Sequence, residues 1–336
     1  MTPRAPGGEF AANDRACERG GIGAVSTAKL DRVRVGIVGC GFFGNLHAAK
    51  YASLDFAELV GAADIFPPAA RRVSHIHGGV AFERAEQLLG HVDAVSITTP
   101  ATRHFELAAM FMSEGVHVLV EKPLALELNH ADELIRLADE KSLVLQVGHQ
   151  ERYVVESLGI LSRDVAPIAI ETQRAGPFTG RATDVCAVLD LMIHDLDIIH
   201  KMMRSDITEV TAEGRSLHSL RADEVTAKLT FVDGSTADIL ASRMSVDKKR
   251  SMRVVYPDGV IEVDFVGRTT RNSTKAPLTA TFEQANGHAG VLNDPLGYGI
   301  QSFIESIRNG LPPRVSGPEA RRALQTALRI TERLAA

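Results

Sequence analysis

Three residues in this 336-residue chain have the types and placement to remove hydrogen from a hydroxyl group. Lys122 stands in Glu121-Lys122-Pro123, directly after the apolar run His117–Val120. A lysine at the carboxyl end of a central strand can hydrogen-bond a substrate hydroxyl and stabilise developing alkoxide charge. Asp190 and His194 are spaced four apart in LDLMIHDLDII. An imidazole beside a carboxylate on one helix face can be held in one tautomer and act as a base near neutral pH. Each pattern alone also fits an ordinary surface. Lys122 could be a lysine before a turn proline, and Asp190, His194, Asp197 and Lys201 could form a solvated face opposite buried Leu189, Met192, Leu196, Ile199 and Met203.

A second group of residues has the pattern of a cofactor site. Val33–Val38 runs straight into Gly39-Cys40-Gly41-Phe42-Phe43-Gly44, which then opens a helical stretch. G-x-G-x-x-G in that strand–turn–helix context is a dinucleotide-binding signature. Gly39 allows the tight turn, Gly41 lets a pyrophosphate approach the backbone, and Gly44 lets helix and strand pack closely. The next apolar run ends at Asp64, twenty residues beyond Gly44. A carboxylate there accepts hydrogen bonds from ribose hydroxyls and repels a 2′-phosphate, which favours NAD over NADP. Thr98-Thr99-Pro100, after the third apolar run, falls where ligands sit in open α/β sheets, so it is placed to touch the nicotinamide half.

These residues need a frame, and hydrophobic periodicity supplies one. Short apolar runs at Val33–Val38, Ala57–Ala63, Asp93–Ile97, His117–Val120 and Leu143–Val147 alternate with helical stretches at Phe42–Tyr51, Pro68–His75, Phe105–Met112 and Ala131–Glu140. That alternation predicts βαβ units and a doubly wound parallel sheet. Beyond Gln150 the pattern changes to a strand at Ile168–Arg174, a long helix at Asp184–Met203 and period-two segments around Asp233-Gly234 and Asp258-Gly259. Those segments predict hairpins, hence an α+β domain with a large, mostly antiparallel open sheet. Two helices, Pro295–Arg308 and Pro318–Leu334, close the chain. The expected organisation is a disordered extension at 1–29, a Rossmann domain at 30–150, and a substrate-binding and oligomerisation domain at 151–336. The final helix is free to pack back on the Rossmann domain.

Composition narrows the function classes. With 37 basic and 42 acidic residues the net charge is −5, which argues against a nucleic-acid binder. Aromatics make up 5% with no Trp, so base-stacking platforms are not expected. No apolar run approaches the ~20 residues of a membrane span. Cys17, Cys40 and Cys186 are far apart and lack C-x-x-C spacing, which points to a reducing, cytoplasmic setting without disulfides. His75-x-His77 is too isolated to suggest a metal site.

Taken together, the motifs resemble the Gfo/Idh/MocA family of nicotinamide-dependent sugar oxidoreductases. The resemblance runs from about Val33 to the C-terminus and rests on GCGFFG, GAADIFP, TTPATRHFELA, HVLVEKPLAL, LQVGHQERY, DLMIHDLDII and the closing DPLGYGIQSFIESIRNGLPPRVSGPEA. It implies Lys122, Asp190 and His194 as catalytic groups. Cofactor contacts carry over to Gly39, Gly41, Phe42, Phe43, Gly44, Asp64, Thr98, Thr99, Pro100, His104, Glu121 and Lys122, with Gln150 beside them. VGHQERY and DLMIHDLDII resemble the branch that oxidises UDP-N-acetylglucosamine at C3 for diamino sugars of lipid A. Tyr153 is followed here by Val154-Val155 where that branch often has Asn-Pro, which loosens the substrate assignment.

The expectation is therefore an NAD-dependent sugar dehydrogenase, acting as a homodimer or homotetramer. His194, oriented by Asp190, accepts the hydroxyl proton, and Lys122 stabilises the alkoxide. Substrate contacts are expected from Lys122, His194, Tyr153 and the candidate diphosphate cations Arg152, Arg174 and Arg181. The alternatives are an inositol, polyol or other free-sugar dehydrogenase with the same core, and a nicotinamide-binding sensor without turnover.

Overall fold

The computed structural model describes residues 31–180, 183–282, 284 and 290–334. The expected extension at 1–29 and Arg181 lie outside the described residues.

Six parallel strands build the first sheet: β1 (Val33–Val38), β2 (Ala57–Ala63), β3 (Val80–Phe82), β4 (Ala94–Ile97), β5 (His117–Val120) and β6 (Leu145–Val147). Their order is β3-β2-β1-β4-β5-β6, so the chain reverses direction across the sheet between β1 and β4. That switch opens a crevice at the carboxyl ends of the strands. Helices α1 (Phe42–Ala52), α2 (Pro67–His77), α3 (His104–Ser113) and α4 (Leu128–Lys141) connect the strands. The residues of β4 are buried throughout, as a strand covered on both faces requires. β3 has no clear signal in the sequence, because three residues after Gly78-Gly79 carry too little period.

The second sheet has seven strands: β7 (Ala169–Ala175), β8 (Ile207–Arg215), β9 (Glu224–Phe231), β10 (Thr236–Ser242), β11 (Lys249–Tyr256), β12 (Gly259–Asp264) and β13 (Thr269–Asn272). They are ordered β13-β12-β11-β7-β10-β9-β8. Both expected hairpins form, β9/β10 and β11/β12. Only β7 and β10 run parallel within this sheet. Val225, Ala227, Leu229 and Phe231 alternate inward on β9, and Ala237, Ile239 and Ala241 do so on β10.

Four further helices join the layers: α5 (Gln150–Ser157), α6 (Ile193–Met202), α7 (Pro295–Asn309) and α8 (Gly317–Leu334). α7 returns to the first sheet, where Ile300, Phe303 and Ile304 are buried with Val33, Val35 and Ile37 of β1 and Tyr51 of α1. Asp294 caps α7 by accepting from the Gly297 amide at 3.0 Å, and it also takes the Lys50 ammonium of α1 at 2.6 Å. α8 packs against α4, β6, α6 and β8. Gln146 forms an antiparallel bridge with Ser316, so the chain ahead of α8 covers the β6 edge.

One expected element is corrected. The long helix expected at Asp184–Met203 starts only at Ala187, and its first turn, Val188–Met192, is π-helical and leads directly into α6 at Ile193. A π turn holds more residues than an α turn, so the 100° spacing of a regular helix does not apply across it.

Candidate active site

The glycine turn is shaped by its neighbours. Gly39 has φ +91°, and a Cβ there would lie 2.9 Å from the Thr99 amide nitrogen. A Cβ on Gly44 would fall 1.9 Å from the Gly39 carbonyl oxygen, so α1 can sit against the turn only with glycine at that position. Gly41 is different: a Cβ there would meet nothing within 4 Å. Its backbone faces open space, and no side chain caps α1 at that residue. Thr98 Oγ1 donates to the Gly39 carbonyl at 2.6 Å and ties the turn to the end of β4. Thr99 Oγ1 is buried without a hydrogen-bond partner beside it. Phe42 is 61% exposed at the start of α1. This open backbone cradle at a helix N-terminus fits a dinucleotide pyrophosphate.

Asp64 follows β2 and accepts from the Cys40 amide at 2.6 Å and from the Phe66 amide at 2.8 Å. It fixes the turn in addition to any ribose contact. The Arg72 guanidinium donates to the Cys40 carbonyl at 3.1 Å, so it lies nearer the turn than its place in the sequence suggests.

His104 departs from its expected role as a cofactor contact. It is 1% exposed, with Nδ1 2.7 Å from the Pro123 carbonyl and Nε2 3.0 Å from the Thr99 carbonyl. It braces the turn after β4 against the turn after β5. Burial holds its pKa below the ordinary value, although the two carbonyls and Glu121 favour the charged form.

Lys122 leaves the end of β5 and reaches the π turn. Its ammonium donates to the Asp190 main-chain carbonyl at 2.6 Å and to Asp190 Oδ1 at 3.0 Å. Both side chains keep some exposure, 15% and 20%. Glu121, beside it, is buried and lies 3.1 Å from His47 Nε2. His47 Nδ1 is 3.1 Å from Ser96 Oγ, which in turn lies 2.8 Å from the Tyr51 hydroxyl. Burial would raise the Glu121 pKa, yet His47, and after it Lys122, hold it below the usual carboxylate range.

His194 opens α6 and does not pair with Asp190. Its Nδ1 lies 3.2 Å from Glu151 Oε2, without hydrogen-bond alignment. His149 packs edge to face against it at 5.9 Å between ring centroids. Both nitrogens of His149 are buried without partners. Burial drives the His194 pKa well below its ordinary value; Glu151 opposes that, while Lys122, Arg174 and His149 add to it. The imidazole is therefore neutral at pH 7 and able to accept a proton.

Three expected substrate contacts are internal. Arg152 is 2% exposed and bonded to Asp197, to Glu319 at 2.6 Å and to the Arg314 carbonyl at 3.2 Å. Arg174, also 2% exposed, makes a two-pronged pair with Asp195 at 3.1 and 2.9 Å and reaches Glu151 at 2.7 Å. Neither guanidinium is available to a diphosphate, because buried charges hold their partners strongly. Tyr153 is buried against Tyr298 and Gly299 and belongs to the core. Gln150 borders the same narrow gap as Glu121, Gly148 and His47.

The structure thus brings Lys122, Asp190 and His194 to the carboxyl ends of β5 and β6, beyond the glycine turn. Sequence reasoning missed His149, Glu151 and Arg250 at that place. His149 and Glu151 follow β6 as Glu121 and Lys122 follow β5, and the strand-end rule applied at β5 marks them equally. Arg250, on β11, carries no local signal.

Comparison with known proteins identifies both halves of the chain. A family model described as an oxidoreductase family with an NAD-binding Rossmann fold matches residues 33–149, and the GFO/IDH/MocA C-terminal domain matches residues 163–262. A UDP-N-acetylglucosamine 3-dehydrogenase from Acidithiobacillus ferrooxidans is 34% identical over 308 residues, covering 89% of this chain and 96% of that protein. A myo-inositol 2-dehydrogenase from Thermotoga maritima is 27% identical over 328 residues, covering 87% and 93%. The solved structure of the Acidithiobacillus ferrooxidans enzyme superposes with a TM-score of 0.81 at 33% identity, over 90% of this chain and 98% of that one.

Proposed function

The chain belongs to the Gfo/Idh/MocA family of oxidoreductases, whose first domain is an NAD-binding Rossmann fold, and on that premise we propose that it oxidises a ring hydroxyl of UDP-N-acetylglucosamine, at C3, to a ketone. The observation that carries the reaction is the meeting of the Lys122 ammonium and the neutral His194 imidazole at the carboxyl ends of β5 and β6. The similarity to the Acidithiobacillus ferrooxidans enzyme carries the substrate.

In this reading Gly39, Gly41, Phe42, Phe43 and Gly44 receive the cofactor pyrophosphate and Asp64 the adenosine ribose. Thr98, Thr99, Pro100, Glu121 and Gln150 border the nicotinamide side. NAD, when bound, supplies the hydride acceptor. Lys122 donates a hydrogen bond to the substrate oxygen, and its charge stabilises that oxygen as the proton leaves. His194 takes the proton. Asp190 holds the ammonium in place through two acceptors. Residues 30–150 serve the cofactor, while 151–336 serve the substrate and assembly as a homodimer or homotetramer. The setting is the cytoplasm, and the product is a 3-keto sugar of use in making diamino sugars for lipid A.

A second reading has a specific observation behind it. The burial and pairing of Arg152 and Arg174 remove two of the three cations expected to hold a diphosphate. An inositol, polyol or other free-sugar substrate has no such requirement. Purified protein with NAD or NADP and a panel of UDP sugars and free polyols separates the two by NADH absorbance. Turnover of UDP-N-acetylglucosamine is expected. Turnover of free polyols alone would sink the nucleotide-sugar assignment, and cofactor binding without turnover on the panel would point to a sensor.

A further inference from the structure

We propose that Glu151, rather than Asp190, is the carboxylate that positions His194 for proton transfer. The inference rests on the dehydrogenase reading above and adds to it a residue outside the Lys122, Asp190 and His194 set.

The π turn at Val188–Met192 is the starting point. Within it, Asp190 gives both its carbonyl and its Oδ1 to the Lys122 ammonium. The carboxylate at His194 comes from α5: Glu151 Oε2 lies 3.2 Å from Nδ1. Two arginines from the second sheet converge on the other oxygen of that carboxylate. Arg174 of β7 donates to Oε1 at 2.7 Å and Arg250 of β11 at 3.2 Å. Arg174 is locked in turn by Asp195, the residue after His194. Sheet, α5 and α6 are therefore joined at this one carboxylate.

The charges around the pair are defined on every side. Glu151 and His149 face His194 from the start of α5, Lys122 from the end of β5 and Arg174 from β7, with Arg250 behind Glu151. Burial would raise the Glu151 pKa, but the Arg174 guanidinium, with Arg250 behind it, holds it far below the usual carboxylate range. Glu151 is thus favoured as the carboxylate. An ionised acceptor at Nδ1 selects the tautomer with hydrogen on Nδ1 and leaves Nε2 as the base. The substrate hydroxyl proton then passes to Nε2, Nδ1–H donates to Oε2, and Glu151 stays a carboxylate throughout. The unaligned contact calls for a small ring rotation, as hydrogen bonds in ligand-free sites often do.

The test is ring-nitrogen NMR of His194 against pH in the intact protein without substrate, with the signal assigned by His194→Asn. Wild type is expected to show the Nδ1–H tautomer. In Glu151→Gln the titration midpoint moves lower and the tautomers mix. Should that variant not fold, Glu151→Asp reads the same quantity, with a smaller shift in the same direction. A folded variant whose His194 midpoint and tautomer match wild type overturns the proposal. With the substrate identified by the panel, Glu151→Gln is expected to lose about 100-fold in kcat with little change in KM, and Glu151→Asp to recover part of it. The acid limb of the rate profile should move with the NMR midpoint. A role confined to holding Arg174 and Arg250 in place would leave that limb where it is, and this result would also overturn the proposal. The NMR result stands without turnover, so failure of the substrate assignment and failure of the Glu151 assignment remain separate.

Discussion

The Lys122 ammonium donates twice to one residue, to the main-chain carbonyl of Asp190 at 2.6 Å and to its Oδ1 at 3.0 Å. A lysine carries four rotatable carbons, and two acceptors on a π turn remove most of that freedom. The cation is therefore set in place before substrate arrives, the arrangement that makes electrostatic stabilisation effective. Lys122→Ala is expected to lower kcat by roughly 10²- to 10⁴-fold. Asp190→Asn retains both acceptor oxygens but not the charge and should cost about tenfold. NADH absorbance measures both, and NADH fluorescence checks that cofactor binding persists.

The glycines of the turn should separate binding from folding. Gly44→Ala places a methyl group against the Gly39 carbonyl and should lower both thermal stability and NADH affinity. Gly41→Ala meets no protein atom and should leave Tm unchanged while weakening NADH binding, because its methyl group occupies the space offered to the pyrophosphate. Equal loss of Tm in both variants would contradict this assignment.

Cofactor preference should follow Asp64. Asp64→Ser removes the carboxylate from the end of β2 while leaving a hydroxyl to accept from the Cys40 amide. The ratio of NAD to NADP affinity is expected to fall by about tenfold, with Arg72 close enough to gain from a 2′-phosphate. Titration with both reduced cofactors gives the ratio directly.

Stability should decline in mild acid. Burial depresses the pKa of His104, His149 and His194, and brings His200 down to about 4. Below the ordinary histidine value near 6.5 the unfolded chain takes up protons that the folded chain refuses. Stability is therefore full above pH 6.5 and falls as pH drops toward the folded values. Glu319, held down to about 2 by Arg152 and Lys201 against the effect of burial, acts in the same direction at lower pH. Urea midpoints at pH 7.5 and 5.5 should differ, with the higher midpoint at pH 7.5.

The pair of Arg152 and Asp197 should behave as structure rather than as a substrate site. Both side chains are almost fully buried. Asp197→Ala leaves a buried guanidinium short of a partner and should destabilise the protein by about 3–5 kcal/mol. Denaturant unfolding measures the loss. A variant of wild-type stability with a raised KM would return Arg152 to the substrate.

Much of the site was legible because its signals are local. The glycine turn, Asp64 and Lys122 each sit at the end of an apolar strand, and in a doubly wound sheet those ends meet in one crevice. Strand ends are marked by turn chemistry within a few residues, so the sequence alone determines that these groups converge. The same holds for the two hairpins, whose Asp-Gly turns and alternating burial are written in the chain.

The partners of the polar groups were decided only by the tertiary structure. Arg152 and Arg174 look like free cations in sequence, but their carboxylates come from residues far along the chain, Asp197 and Glu319 for one and Asp195 and Glu151 for the other. Asp190 and His194 share the spacing of a helical pair, yet Asp190 is taken by Lys122 from the end of β5, and His194 lies against Glu151 from α5. Periodicity predicts which face of an element is buried, because burial follows from repeating geometry within that element. It does not predict which charge lies opposite, because that depends on how separate elements pack.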